Sequence, residues 1–243
     1  MRRSTPDCRP VAVEQRKLLA VLDSLDVVAI ARELEPFATP ERVARLRAAF
    51  DARLDAVTVL MDAPHDPHNG GAVLRSCDAF GLQRLHVVER VESFLASTTV
   101  ARGSERWVEV HTHQTSAEAL ESLARSGHEL VATHPRGQLT PEDLRHIPRV
   151  AIVLGNERFG IHAELAAACT RTVSVPMRGF AESLNVSVSA AILLQHATHG
   201  RPGDLPEEER ARLYARALIL SVQHAPEILV ERGVLASSAA LSL

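Results

Sequence analysis

The sequence predicts an α/β fold, a mostly parallel sheet with helices on both faces and helical extensions at its N- and C-terminal ends. Short apolar, β-branched runs recur through the middle of the chain, and helix-like stretches lie between them. The segments before and after this alternating unit read as helical without strands. Strands that alternate with helices need crossover connections, and these build parallel sheets covered on both sides.

Taken in order, residues 12–53 are helical and VTVLM (57–61) is the first strand. A helix follows near 69–80, with Asn69 as its expected N-cap. Val73, Cys77 and Phe80 form its buried stripe, and at about 100° per residue Arg75 points away from it. LHVVE (85–89) and WVEV (107–110) are strands, then comes a helix near 116–126. ELVAT (129–133) and VAIVL (150–154) are the next strands, followed by a helix near 161–169 and the strand TVSV (172–175). A helix over 184–199 begins at Ser183 or nearby. RPGDLP (201–206) then turns the chain into a helical 206–231, where Leu213, Ala217 and Leu220 keep one apolar stripe. The expected organisation is an extension over 1–53, the α/β unit over 54–200 and a second extension over 201–243. No repeat or low-complexity tract interrupts it.

With 46% hydrophobic and 23% charged residues the composition is that of a globular protein. No stretch approaches the roughly 20 apolar residues of a membrane span. MRRSTPDCRP has no apolar run behind it, so a secretory signal is not expected. Cys8, Cys77 and Cys169 lack metal or disulfide spacing, which fits the cytoplasm. The net charge of −3 does not announce a nucleic-acid binder. Arginines nevertheless gather at both ends: Arg2, Arg3, Arg9, Arg16, Arg42, Arg45, Arg47 and Arg53, then Arg201, Arg210, Arg212 and Arg216. They read either as a footprint for RNA phosphates or as solvated helix faces interleaved with glutamates.

Familiar nucleotide fingerprints fail. No GxGxxG follows the first strand, and Gly155–Gly160 has Walker A spacing but Ile161-His162 where Lys-Ser/Thr belongs. The pairs His65/His68 and His196/His199 lack a matching carboxylate or cysteine, so no metal is expected. Three other segments stand out. HDPHNGGAVLR (65–75) follows a strand and opens a helix, displaying Arg75 near the carboxyl edge of the sheet, where α/β folds bind ligands. An ion pair with Asp78 is the competing role for that arginine. LGNERFG (154–160) ends a buried strand in a tight polar turn, with Glu157 either functional or simply a first-turn carboxylate. VPMRGFAESLNVSVSAA (175–191) passes from a strand through a glycine loop into a helix of small residues.

Together the three segments resemble the SPOUT superfamily, specifically the TrmH-type ribose 2′-O-methyltransferases. Asn69 with Arg75 is similar to that family's first motif, LGNERFG to the second and VPM…SLNVSVSAA to the third, over about Thr39 to Arg216. The resemblance implies a C-terminal trefoil knot, a homodimer and S-adenosyl-L-methionine as cofactor. On the family's pattern Thr133, Gly155, Val175 and Leu184 line the cofactor site, with backbone around Asn156 and Met177. Asn69, Arg75, Glu157, Ser183 and Asn185 are implied as the catalytic set around the reacting ribose. Short helical extensions are closest to the tRNA (guanosine-2′-O)-methyltransferases, so the expected substrate is the D-loop guanosine of tRNA at position 18. Ribosomal RNA is the alternative substrate, and a catalytically silent RNA-binding factor the alternative role. Neither DNA nor a membrane is expected as a partner.

Overall fold

The computed structural model describes residues 13–90, 98–101, 103–156 and 158–235. In chain order its elements are α1 (Val13–Ala20), α2 (Val27–Leu34), α3 (Pro40–Asp51), β1 (Val57–Asp62), α4 (Pro67–Ala79) and β2 (Arg84–Val88). Then come α5 (Thr98–Ala101), β3 (Glu109–His113), α6 (Ser116–Arg125), β4 (Glu129–Thr133) and β5 (Val150–Leu154). The chain continues through α7 (Ala163–Ala168), β6 (Arg171–Val173), α8 (Val186–Thr198), α9 (Glu207–Ser221) and α10 (Ala225–Glu231). Two compact units result, one from Leu54 to Pro202, the other joining the chain up to Arg53 with the chain from Gly203 onward.

The first unit holds a sheet in the order β3-β2-β1-β5-β4-β6, with every pairing parallel. β1 and β5 are buried along their whole length because both of their faces are covered, and β5 is continuously apolar. Side chains alternate across a strand, so Val150, Ile152 and Leu154 pack with Val73, Cys77, Leu193 and Leu194 of α4 and α8. Ala151 and Val153 pack on the other side with Ala119 and Leu123 of α6 and Leu165 of α7. The expected parallel α/β arrangement with helices on both faces is present. A parallel sheet also puts all its strand ends on one edge, which is where Asp62, Thr133 and Gly155 emerge.

Among the boundaries that differ from the sequence prediction, four have a clear local reason. The strand expected at 107–110 begins at Glu109, because Trp107 and Val108 both donate to the Ser104 carbonyl and close a turn. Pairing starts only where Glu109 N reaches Gln83 O at 2.8 Å. The last strand stops at Val173, since Ser174 N leaves β4 for Leu139 O. Helix α4 is capped by Asp66 rather than Asn69, with its carboxylate accepting from His68 N at 2.8 Å. Pro67 in the first helical position has no N–H to satisfy, so the helix starts there at little cost. Helix α8 starts at Val186 with Asn185 as its cap, two residues after Ser183.

The second unit packs α1, α2, α3, α9 and α10 around Leu18, Ile30, Leu34, Phe50, Leu213 and Leu218. Tyr214 and Arg47 each donate to Oε2 of Glu35 at 2.6 Å. The tyrosine bond, more than the arginine, holds the Glu35 carboxyl below its usual range, while burial pushes the Tyr214 phenol up to about 12. The arginines of this unit largely serve its own fold: Arg47 pairs with Glu35, Arg210 with Asp51 and Arg212 with Asp23, and Arg53 is buried. In the sheet unit, Arg201 is also structural, donating to the carbonyls of Ala197, Leu144, Ile147 and Pro148. No helix among the described residues is long and apolar enough to cross a membrane.

Candidate active site

The strand ends build the site. β4 stops at Thr133, whose hydroxyl donates to Val153 O on the neighbouring strand at 3.0 Å. β5 runs out into Gly155, and the chain then doubles back so that Asn156 and Gly160 exchange both backbone hydrogen bonds at 2.9 Å. Only glycine suits position 155, because a Cβ there would lie 2.6 Å from the carbonyl carbon of Gly160. Gly160 adopts φ +71°, which also favours glycine. Asn156 stiffens the turn from inside, with Oδ1 accepting from Arg158 N at 2.8 Å and Phe159 N at 3.3 Å.

Two contacts fasten this turn to the connection between β1 and α4. Asn156 Nδ2 donates to the carbonyl of Ala63, a non-glycine residue at φ +47°. Asp62, 2% exposed at the end of β1, accepts from His162 N at 2.6 Å through one oxygen. Its other oxygen accepts from Arg90 Nε at 3.0 Å, and Arg90 also donates to Ser116 Oγ at 2.8 Å. A buried carboxylate satisfied on both oxygens is a rigid joint.

A third wall comes from the segment after β6. Leu139 N donates to Thr172 O at 2.9 Å and Ser174 N donates to Leu139 O at 3.0 Å, laying the 134–139 connection along the strand. Asn185 Oδ1 caps α8 by accepting from Ser187 N at 2.8 Å, and its Nδ2 donates to Asn69 Oδ1 at 3.0 Å. The three loops enclose a cavity of about 440 Å³. Leu154, Val173, Val175 and Leu193 supply apolar walls, while Ser183, Asn185 and Glu182 supply polar groups. Such a mixture, with backbone edges exposed by the Gly155 turn, suits a ligand with one flat apolar part and one polar part.

Residues 56–195 match the SpoU rRNA Methylase family. The chain belongs to that family. A tRNA (guanosine(18)-2′-O)-methyltransferase of Escherichia coli K12 is 33% identical over 184 residues, 72% of this chain and 80% of the relative. Among solved structures, the Aquifex aeolicus TrmH/SpoU tRNA modifying enzyme superposes with a TM-score of 0.59 at 25% identity, covering 83% of this chain and 96% of that one. The SpoU methyltransferase AviRb of Streptomyces viridochromogenes in complex with AdoMet gives 0.55 at 28% identity, covering 62% of each chain.

Within the SpoU segment the described residues expected at the site fall into three groups. Thr133, Gly155, Asn156, Val175, Met177, Ser183, Leu184 and Asn185 all line the cavity. Asn69 stands behind it, joined through the bond to Asn185. Arg75 lies outside it, exposed on α4, and makes no ion pair or hydrogen bond among the described residues. The alternative role, a pair with Asp78, is not taken up; Asp78 accepts from Ser104 Oγ at 3.1 Å instead. Glu157 lies outside the described residues. Sequence reading missed Asp62 and Arg90. The available signal was an acidic residue closing the apolar run VTVLMD, a poor place for a charge without a partner.

Proposed function

We propose that this SpoU family member transfers a methyl group from S-adenosyl-L-methionine to the 2′-hydroxyl of a ribose in RNA, with the D-loop guanosine of tRNA at position 18 as target. The observation that carries this is the gathering of the second and third motif segments around one cavity at the carboxyl edge of the sheet. The E. coli relative supports tRNA as the substrate, and a tRNA substrate supports a cytoplasmic location. The cavity fits the cofactor in kind. Val173, Val175 and Leu193 offer walls to an adenine, the Gly155–Asn156 backbone offers polar edges, and Thr133 and Leu184 close the sides. When bound, S-adenosylmethionine supplies an electrophilic methyl group that needs no metal.

The chain's own residues must position a weak nucleophile and stabilise the oxygen anion left when its proton departs. Asn185, fixed by its cap and by Asn69, presents an amide at the mouth beside the Ser183 hydroxyl, and both suit a ribose. A guanidinium keeps its protons, so Arg75 acts by neutralising the alkoxide and holding an adjacent phosphate while the proton leaves to water. Glu157 would orient it. Six residues along a helix span about 9 Å and turn the side chain well away from Asn69, which fits Arg75 standing outside its own chain's cavity. A homodimer would complete the set. Val188, 47% exposed on the otherwise core-forming α8, supports a second copy seated there. The close pairing of 134–139 alongside β6 supports the trefoil knot.

Incubation with methyl-labelled S-adenosylmethionine and either total tRNA or total rRNA tests the assignment. Label should enter tRNA; label in rRNA alone would change the substrate, and label in neither would remove the activity.

A further inference from the structure

Two loops that bound the cavity each carry an exposed arginine beside an exposed phenylalanine. In the 155–161 turn these are Arg158 and Phe159, and in the 176–184 loop Arg178 and Phe180. Phe159 is 87% exposed and Phe180 fully exposed, well beyond Phe37 at 52%, whereas Phe50 is buried and Phe80 packs against the core. Exposing two phenyl rings costs a protein apolar burial, and here both lie next to one cavity without lining it. Among the described residues neither guanidinium makes an ion pair or side-chain hydrogen bond, in contrast to Arg47, Arg210 and Arg212. The turn that presents Phe159 is also held rigid by Asn156.

We propose that Phe159 and Phe180, with Arg158 and Arg178, form the RNA-gripping rim of the site, the rings stacking on unpaired bases beside the target nucleotide and the guanidiniums holding their phosphates. The chemistry selects the partner. Unpaired bases stack on aromatic faces regardless of sequence, and arginines supply the phosphate contacts between them. A protein interface over the same rim would bury two unpaired guanidiniums, which is costly. The inference rests on the RNA methyltransferase reading and adds to it the residues that hold bases around the reacting ribose.

Steady-state methylation of tRNA decides the matter. Phe159→Ala combined with Phe180→Ala should raise the KM for RNA about 10-fold or more, while the Kd for S-adenosylmethionine stays within two-fold. The double leucine variant should fail similarly and the double tyrosine variant should stay close to wild type, because stacking needs a ring and not merely an apolar group. Arg158→Gln with Arg178→Gln should lower the slope of log KM against log salt by about two. An unchanged KM in the double alanine variant, with wild-type protein active, would overturn this inference alone. A loss of mass by light scattering in that variant would assign the rings to a protein contact and overturn it too. Wild-type protein that methylates no RNA would overturn the methyltransferase reading, and this inference with it.

Discussion

Arg75 and Asp62 are two charged residues with opposite situations, and the structure predicts opposite consequences of removing them. Arg75 is exposed and without a partner among the described residues, so Arg75→Ala should leave stability within about 0.5 kcal/mol. If it stabilises the reacting oxygen, turnover should fall about 10²-fold or more with cofactor affinity held within a few-fold. Retention of more than about a tenth of the wild-type rate would place the chemistry elsewhere. Asp62 is buried and bonded on both oxygens, to His162 N and to Arg90. Asp62→Ala should cost about 2–3 kcal/mol in urea unfolding, since an N–H and a guanidinium lose their acceptor together. Cofactor affinity should fall with it because the 155–162 turn loses its anchor, and an unchanged affinity would deny Asp62 that positioning role. Motif residues such as Asn185 were legible because asparagine and serine are poor formers of a helix interior. Asp62 was not, because a strand-end carboxylate signals nothing until its partners, 28 and 100 residues away, are in place.

At the scale of elements, apolar runs located β1, β4 and β5 almost to the residue, β1 and β5 because strands buried on both faces read as near-continuous apolar runs. The edge strand β3 was displaced, since it is half solvated and competes with a turn made by Ser104. Helix starts were misread where two cap candidates stand close together, as with Asp66 and Asn69. The Gly155 turn is the element on which the cavity most depends. Gly155→Ala should cost about 1–3 kcal/mol and open the turn, measurable as a lower melting temperature and weaker cofactor binding. On β2, burial first and then the neighbouring His111 and His113 push the His86 imidazole down to about 3. His86 Nδ1 and His113 Nε2 lie 3.0 Å apart, so one ring donates and the other accepts, an arrangement that requires a neutral nitrogen. Above pH about 6.5 the ring is neutral whether folded or not; below it only the unfolded chain takes up the proton. Stability should therefore fall as pH drops from about 6.5 toward about 3, by up to about 1.4 kcal/mol per pH unit from this site. His86→Gln should reduce that slope in urea melts, and an identical profile would remove His86 as the cause.

For the molecule as a whole, the proposed pairing of chains is the prediction to test, because Arg75 stands outside its own cavity. Light scattering at micromolar concentration should report twice the 26.4 kDa chain mass. If the site is completed between copies, mixing inactive Arg75→Ala with inactive Asn185→Ala should restore turnover; a mixture as inactive as its parts would return Arg75 to its own chain's site. Overall charge gave no lead to RNA because the 30 acidic residues outnumber the 27 lysines and arginines, which hides the arginines left exposed beside the cavity. The fold could be read as parallel α/β from periodicity, but the pairing of Leu139 alongside β6 is a contact between distant segments that no local pattern encodes. Mass spectrometry of nuclease-digested tRNA after reaction with S-adenosylmethionine tests the central claim most directly. A single added methyl on the ribose of the D-loop guanosine is the predicted result, and a methyl on a base, or on rRNA but never on tRNA, would contradict it.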